Sequence, residues 1–113
     1  MNKRKVGFEG ESKAVEYLKE KGYTVLQTNF YSRYGEIDLI AKDKETIVFI
    51  EVKYRKNNQY GMGMESISSK KVKSLSKTAK FYLKSEDIDC RFDVISIDNN
   101  IVSHIINAFE YEA

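Results

Sequence analysis

The sequence predicts a single α/β (or α+β) domain in the order helix, three strands, helix, strand, followed by a C-terminal segment. Two segments carry apolar residues at helical spacing, and several others alternate at the strand period of two. The 113 residues are 42% hydrophobic and 32% charged, which suits one soluble domain with one core. Because the chain has no proline, repeat or low-complexity stretch, we expect one domain over residues 1–113.

The first helix is predicted over residues 9–21, with Gly22 as its stop. Glu11, Val15 and Leu18 fall at i, i+4 and i+7, so Glu11 shares the side of the helix that faces the protein. A carboxylate on that side is unusual in a purely structural helix. The alternative is a first-turn acid that favours the helix dipole.

A strand and a hairpin follow. Tyr23–Phe30 is rich in aromatic and β-branched residues, which predicts a strand, and Tyr31–Gly35 is predicted to connect it to the hairpin. Residues 36–41 and 47–53 alternate at period two around a short polar break. We expect them to pair antiparallel about a point between positions 44 and 45.

This register places Asp38 opposite Glu51. Successive strand side chains point to opposite faces, which predicts one apolar core face and one polar face. The core face would hold Ile37, Leu39, Ala41, Val48, Ile50 and Val52. The polar face would hold Glu36, Asp38, Ile40, Phe49, Glu51 and Lys53.

Two directly opposed carboxylates repel, by about 3 kcal/mol at roughly 5 Å and an effective dielectric near 20. A divalent cation would offset this repulsion, and carboxylate oxygens suit magnesium or manganese. Lys53 lies one residue pair away and could steady negative charge. The alternative is an ordinary polar outer face on a half-buried sheet. The apolar Ile40 and Phe49 on the same face argue for a partly covered surface instead.

Residues 54–65 lack a clean period and are predicted to form a loop. Ser68 or Ser69 can cap a second helix that runs to about Lys84. Its predicted buried stripe consists of Val72, Leu75, Ala79 and Tyr82 or Leu83. Cys90–Asp98 is predicted to be the fourth strand, and Val102–Phe109 a last strand or a short helix.

Charge is unevenly distributed along the chain. Residues 53–84 hold nine basic residues and one acidic residue, a net charge of +8, and since the whole chain is +2 the remainder is −6. Six of these lysines lie on or beside the second helix without an acid between them, which suggests phosphate contacts. A solvated helix face is the alternative interpretation of the same lysines.

Other chemistries have little support. A lone Cys90 and a lone His104 exclude an intrachain disulfide and a typical Cys and His zinc site, and no nucleophile-elbow pattern accompanies the histidine. Gly61-Met62-Gly63 fits neither a dinucleotide fingerprint nor a phosphate loop. No membrane-length apolar run or signal-like segment is present in the sequence, so the cytoplasm is the expected location.

Several motifs carry a family resemblance. Asp38, twelve residues and then Glu51-Val52-Lys53 resemble the metal-binding signature of restriction-endonuclease-like nucleases. Over roughly residues 7–109 the chain resembles the YraN family of bacterial proteins, which are related in fold to archaeal Holliday junction resolvases. The motifs shared with that family are Gly10-Glu11, the run from Gly35 to Ala41, Phe49 to Lys53, Arg55, Tyr60-Gly61, Lys71 and Arg91-Phe92-Asp93-Val94.

The resemblance implies a restriction-endonuclease-like fold, with a central mixed sheet flanked by helices in the order αβββαβ. It implies that Asp38, Glu51 and Glu11 bind Mg (or Mn) and that Lys53 orients water or stabilises charge. It also implies that Lys71 lies near the site and that Arg55 faces the substrate backbone.

We therefore expect a metal-dependent nuclease-like domain that binds nucleic acid, with DNA the expected type, and hydrolyses phosphodiester bonds. The expected nucleic-acid contacts are Arg55, Lys70, Lys71, Lys73 and Lys77. The alternatives are a non-catalytic nucleic-acid-binding module on the same fold and a structural protein-interaction domain. Branched DNA and a homodimer follow only from analogy with junction-cleaving enzymes.

Overall fold

The computed structural model describes residues 3–55, 67–84 and 88–110, with side chains described from Gly10 onward and, in the first range, as far as Tyr54. The predicted mixed α/β architecture is confirmed. The elements in chain order are α1 (Lys3–Glu20), β1 (Thr24–Ser32), β2 (Gly35–Asp43), β3 (Thr46–Arg55), α2 (Ser69–Leu83), β4 (Cys90–Asp98) and β5 (Ile101–Phe109).

The five strands form one mixed sheet in the spatial order β1-β2-β3-β4-β5. Neighbouring strands are antiparallel except for β3 and β4, which run parallel from Ile47↔Cys90 to Arg55↔Asp98. A parallel neighbour requires a crossover connection, and the chain between these two strands contains α2. This arrangement is consistent with the nuclease-like fold that the resemblance implies.

A helix covers each face of the sheet. Ala14 and Leu18 of α1 pack in one core cluster with Leu39, Ala41, Val48, Ile50, Ile95 and Ile97. Leu75 and Ala79 of α2 pack in the other with Ile37, Ile40, Phe49 and Phe92. Because both faces are covered, the central strands are buried on both sides, which explains their nearly continuous apolar runs.

The predicted hairpin register is confirmed from Asp43↔Thr46 to Leu39↔Ile50. The predicted face of Ile37 is wrong, since Ile37 packs in the α2 cluster and Leu39 in the α1 cluster. The strict alternation of β2 breaks between these two residues, at Asp38, which has no partner in the ladder with β1 or with β3. The β2–β3 ladder ends at Leu39, and Asn29 on the neighbouring strand has a positive φ of 52°.

The first helix begins at Lys3, six residues before its predicted start, so Glu11 lies within the helix and not in its first turn. The other element boundaries differ by at most two residues from those predicted. β1 runs two residues past its predicted end, so only Arg33 and Tyr34 separate it from β2. The second helix is confirmed, and Ser68 caps it by accepting a hydrogen bond from the Lys71 N–H at 3.2 Å. The last segment is a strand, which settles the alternative left open by its sequence. The predicted loop lies mostly outside the described residues, since β3 continues to Arg55 and residues 56–66 are not described.

A buried polar network joins β4, β5 and α1. Asp93 has no exposed surface, and its carboxylate accepts hydrogen bonds from Arg91 Nε (3.0 Å), His104 Nε2 (2.8 Å) and the Asn107 N–H (2.9 Å). His104 Nδ1 lies 3.1 Å from the hydroxyl of Tyr17 on α1. These bonds give the buried charge the partners that it needs and give His104 a structural role.

Among the described helices, none combines the length and apolar character that a membrane crossing requires.

Gly35 is expected to be intolerant of substitution. Its φ is +149°, and a Cβ there would lie 2.3 Å from Ser74 Oγ on α2. Gly35→Ala should therefore lower the free energy of unfolding by about 2–3 kcal/mol, measured by urea denaturation. Gly22→Ala is the matched control, since Gly22 also has a positive φ (+93°) but open space around it. If Gly35→Ala and Gly22→Ala lost the same free energy of unfolding, the close approach of Gly35 to α2 would not be the cause of the loss.

Candidate metal site

Gly10 brings the first helix against the sheet beside the acidic residues. A Cβ on Gly10 would lie 2.6 Å from Tyr54 Cβ, closer than side-chain carbons can approach, so only glycine allows this packing. The next residue, Glu11, is partly buried, as its position on the inward side of the helix predicted. The contact at Gly10 thus sets the distance between Glu11 and the strands.

Three carboxylates converge at this point. Glu11 of α1 and Glu36 and Asp38 of β2 each have an oxygen within 4.8 Å of the others, and all three side chains are partly buried. Asn29 Nδ2 donates a hydrogen bond to Glu11 Oε1 at 2.8 Å and so orients that carboxylate. The irregularity at Asn29 and Asp38 therefore lies at the acidic cluster, where strand irregularities often redirect side chains.

Asp38 is held by the backbone of the next strand. Its Oδ2 accepts a hydrogen bond from the Val52 N–H at 2.8 Å, just beyond the last paired residues of β2 and β3. Burial and the negative charges of Glu51, Glu36 and Glu11 raise the pKa of Asp38 to about 7, although the Val52 hydrogen bond opposes the shift. Near neutral pH this carboxyl is thus poised between its protonated and ionised forms.

Glu51 adjoins the cluster but is oriented toward α2. Its Oε2 lies 3.5 Å from Lys71 Nζ, and its side chain is 15% exposed. Of the three neighbouring acids, Glu51 has the largest electrostatic effect on Asp38. Lys53 lies two residues further along β3 and is partly buried. By strand alternation it shares the face of Glu51.

The predicted nucleic-acid contacts lie mainly along α2. Lys70, Lys73 and Lys77 are exposed, and Lys71 is occupied by its ion pair with Glu51. The side chain of Arg55 lies outside the described part of the chain. α2 thus carries a row of exposed cations that begins beside the acidic residues.

Comparison with known proteins identifies the family. The model of the uncharacterised protein family UPF0102 matches residues 10–97, which include Glu11, Asp38, Glu51 and Lys53. The chain belongs to the UPF0102 family. This agrees with the resemblance noted from its sequence motifs.

Several bacterial UPF0102 proteins are similar over nearly the whole chain. One from Persephonella marina is 53% identical over 109 residues, which cover 94% of each chain. One from Sulfurihydrogenibium sp. is 44% identical over 115 residues and covers 99% of this chain and 100% of its own. One from Syntrophomonas wolfei is 42% identical over 113 residues and covers 94% of this chain and 98% of its own.

The acidic cluster of this UPF0102 chain has a donor set that fits a small divalent cation. Magnesium binds hard oxygen ligands at about 2.1 Å, so neighbouring ligands of one ion are about 3 Å apart and opposite ligands about 4.2 Å apart. The three carboxylate oxygens lie within 4.8 Å of one another, so they would move closer together to share one ion. Binding would require Asp38 to lose its proton, because a carboxylate ligand must be ionised. Glu11, Glu36 and Asp38 are the residues that would hold the ion.

The cluster borders a cavity at the surface. A hollow of about 250 Å³ is lined by Glu11, Ser12, Val15, Thr28 and Asn29. Solvent and ions therefore have a route to the Glu11 carboxylate from the side where α1 meets β1.

Two residues of the site, Glu36 in the cluster and Asn29 beside it, are absent from the predicted site residues. Glu36 was predicted to lie on the polar face with Asp38, but the signature formed by Asp38 and Glu51 does not include it. Asn29 carried no signal, because its role depends on a left-handed conformation and a contact with a helix eighteen residues earlier. The neighbouring Gly35-Glu36 pair is the sequence feature that could have indicated Glu36.

The raised pKa of Asp38 predicts how stability depends on pH without a cation. Its pKa is about 7 in the folded protein and 3.8 in the absence of structure, so stability should fall as pH rises from about 4 to about 7. Asp38→Asn removes this penalty and should raise the free energy of unfolding by up to about 4 kcal/mol at pH 8, with little difference below pH 4. Urea denaturation in chelator tests this. A variant less stable than wild type at pH 8 would contradict the burial of an unfavourable charge.

Proposed function

We propose that this UPF0102 protein is a metal-dependent nuclease-like domain that binds nucleic acid, with DNA the expected substrate, and hydrolyses phosphodiester bonds. The observation that carries the proposal is the convergence of Glu11 and Glu36 on Asp38, a partly buried carboxyl with a pKa of about 7. Perturbed acids of this kind concentrate at functional sites. Without a cation, the burial and mutual repulsion of these carboxylates lower the stability of the fold, so a purely structural role does not explain the cluster.

In this proposal each residue has a distinct task. Asp38, Glu11 and Glu36 hold the cation, and Val52 and Asn29 orient their carboxylates. When bound, magnesium supplies charge stabilisation at the scissile phosphate and lowers the pKa of the attacking water. Glu51 adds a further carboxylate beside Asp38. Lys53, which shares the face of Glu51, would stabilise the negative charge that grows during the reaction.

The lysines of α2 would hold the substrate backbone. Lys70, Lys73 and Lys77 are exposed on a helix whose first turn contacts the acidic site through the Lys71–Glu51 pair. Contacts from lysines to phosphates carry no base information, so binding should depend little on sequence and strongly on salt.

Replacing Lys70, Lys73 and Lys77 by Gln should weaken DNA binding. We expect the plot of log affinity against log salt concentration to become shallower by about 0.9 for each phosphate that the variant no longer neutralises. Fluorescence anisotropy with a labelled duplex at several salt concentrations measures the slope. Lys19→Gln and Lys42→Gln, which remove exposed cations from other elements, are matched controls. An unchanged slope in the α2 variant would favour a protein-interaction domain instead.

A cleavage panel tests the proposal as a whole. Single-stranded, duplex, flap and four-way DNA are incubated with magnesium and with manganese, using wild type and Glu51→Ala. The proposal predicts cleavage of at least one substrate that requires metal and is lost in the variant. Metal-independent cleavage, or cleavage that the variant retains in full, would contradict it.

The Lys71–Glu51 ion pair favours a second candidate function. A lysine that neutralises one of the signature acids can reduce repulsion without a metal, as a non-catalytic nucleic-acid-binding module would require. That module predicts salt-dependent DNA binding with no turnover on any substrate in the panel. Lys71→Ala separates the two candidates. In a nuclease the substitution should leave Glu51 free to bind metal. In a module it should only weaken the binding of nucleic acid.

A further inference from the structure

We propose that a groove between the β1–β2 turn and α2 holds an unpaired nucleobase of the nucleic acid bound at the acidic site. The inference rests on the proposed function and specifies its substrate class as nucleic acid with an unpaired or splayed nucleotide. The groove has a volume of about 360 Å³ and is lined by Tyr34, Lys77, Lys80 and Phe81. This volume falls in the range of roughly 300–1,000 Å³ usual for small-molecule sites.

The aromatic residues of the groove are exposed although they are large and apolar. Phe81 is 52% exposed and Tyr34 is 37% exposed. Their ring centroids are 6.5 Å apart at an interplanar angle of 65°, so the two rings form adjoining walls and not one stack. Phe81 is supported from behind by Phe30, at 6.2 Å. A planar base could therefore stack on the open surface of Phe81 with its edge toward Tyr34.

The turn that carries Tyr34 is fixed in place. Ser74 Oγ on α2 donates a hydrogen bond to the Tyr34 carbonyl oxygen at 2.6 Å, and Gly35 allows the close approach. Arg33 donates a hydrogen bond to the Tyr34 hydroxyl at 2.9 Å. Because little conformational freedom remains to be lost on binding, the groove is preorganised for a rigid planar ligand.

The charge of the groove selects an anionic ligand. Lys77 Nζ lies 6.0 Å and Arg33 Cζ 5.0 Å from the Tyr34 ring centroid, and Lys80 also lines the groove. The described lining residues include no acid. Aromatic surfaces among cations bind single-stranded nucleic acid, because bases stack on the rings while phosphates contact the cations. A purely apolar peptide would offer Lys77 and Arg33 no counter-charge.

The position of the groove relative to the acidic site suits one continuous strand. Tyr34 precedes Glu36 of the acidic cluster by two residues, and Lys71, which contacts Glu51, lies ten residues before Phe81 on α2. At 1.5 Å per residue this is about 15 Å along the helix. A few nucleotides span such a distance, so a strand positioned for cleavage could place an unpaired base in the groove.

The test uses two DNA duplexes that differ at one nucleotide. One carries a single bulged 2-aminopurine, whose fluorescence falls when it stacks, and the other is fully paired. Affinity for each is measured by anisotropy of an end label, and stacking by 2-aminopurine emission. For wild type we expect the bulged duplex to bind at least about fivefold more tightly and its emission to fall on binding.

Phe81→Leu keeps an apolar side chain but removes the ring, so it should abolish both the preference and the quenching. Ile101→Ala removes an exposed apolar side chain on β5, at the other edge of the sheet, and should change neither. Equal wild-type affinity for both duplexes without quenching would overturn the inference and leave the proposed function standing. Absence of binding to either duplex would instead overturn the proposed function, and the inference with it. Preference and quenching retained in Phe81→Leu would also overturn the inference.

Discussion

Asp38→Asn should reduce metal-dependent DNA cleavage by about 1000-fold, because it removes the carboxylate that we propose binds the ion in the acidic cluster. The asparagine oxygen can still accept the Val52 hydrogen bond, so the local backbone has no reason to move. The loss would not reflect unfolding, since the same change is expected to stabilise the protein at neutral pH. Initial cleavage rates at saturating metal measure the effect.

Glu45→Gln is the matched control for this variant. Glu45 is exposed in the turn of the same hairpin, so the substitution removes one negative charge away from the cluster. Its cleavage rate should stay within about twofold of wild type. If Asp38→Asn retained a rate comparable to that of Glu45→Gln, the assignment of Asp38 as a metal ligand would be wrong.

The second large effect concerns stability. Asp93→Ala should lower the free energy of unfolding by about 3–5 kcal/mol, because it leaves Arg91 and His104 without the buried carboxylate that they share. The same residue is the hydrogen-bond acceptor for the Asn107 N–H of β5, so the edge strand is held less firmly as well. Urea denaturation at neutral pH measures the loss, and a decrease below about 1 kcal/mol would contradict it.

The contribution of Asp93 should also depend on pH. Burial opposes its ionisation, but hydrogen bonds from His104, Arg91 and the Asn107 N–H outweigh burial and hold the pKa of Asp93 below its usual 3.8. A lowered folded pKa stabilises the protein above the unfolded value, and this stabilisation disappears as pH falls through the folded pKa. The difference between wild type and Asp93→Ala should therefore be constant above about pH 5 and shrink under more acidic conditions.

The sequence predicted most of the fold because its signals were local. The hairpin followed from period-two alternation around a polar break, and α2 followed from a serine cap with apolar residues at helical spacing. The reversed face of Ile37 could not be predicted by alternation. Alternation assumes a regular strand, and β2 departs from regular alternation at Asp38.

Prediction of the candidate site was less complete. Asp38, Glu51 and Lys53 could be selected because their spacing resembles a known signature, and Glu11 because it lies on the inward side of its helix. Which acids approach one another depends on the packing of α1. Gly10 and Tyr54 decide that packing, and sequence spacing does not reveal the contact between them. The role of Asp93 was likewise hidden, since its partners His104 and Asn107 lie on another strand.

Calorimetric titration of magnesium and manganese into the protein at pH 6 and pH 8 tests the central claim most directly. We predict binding in the micromolar to low millimolar range at pH 8. Because Asp38 must lose its proton, affinity at pH 6 should be about tenfold weaker. Asp38→Asn and Glu11→Gln should each bind far more weakly at both pH values. Absence of wild-type binding at millimolar metal, or binding that is the same in Asp38→Asn, would contradict the account.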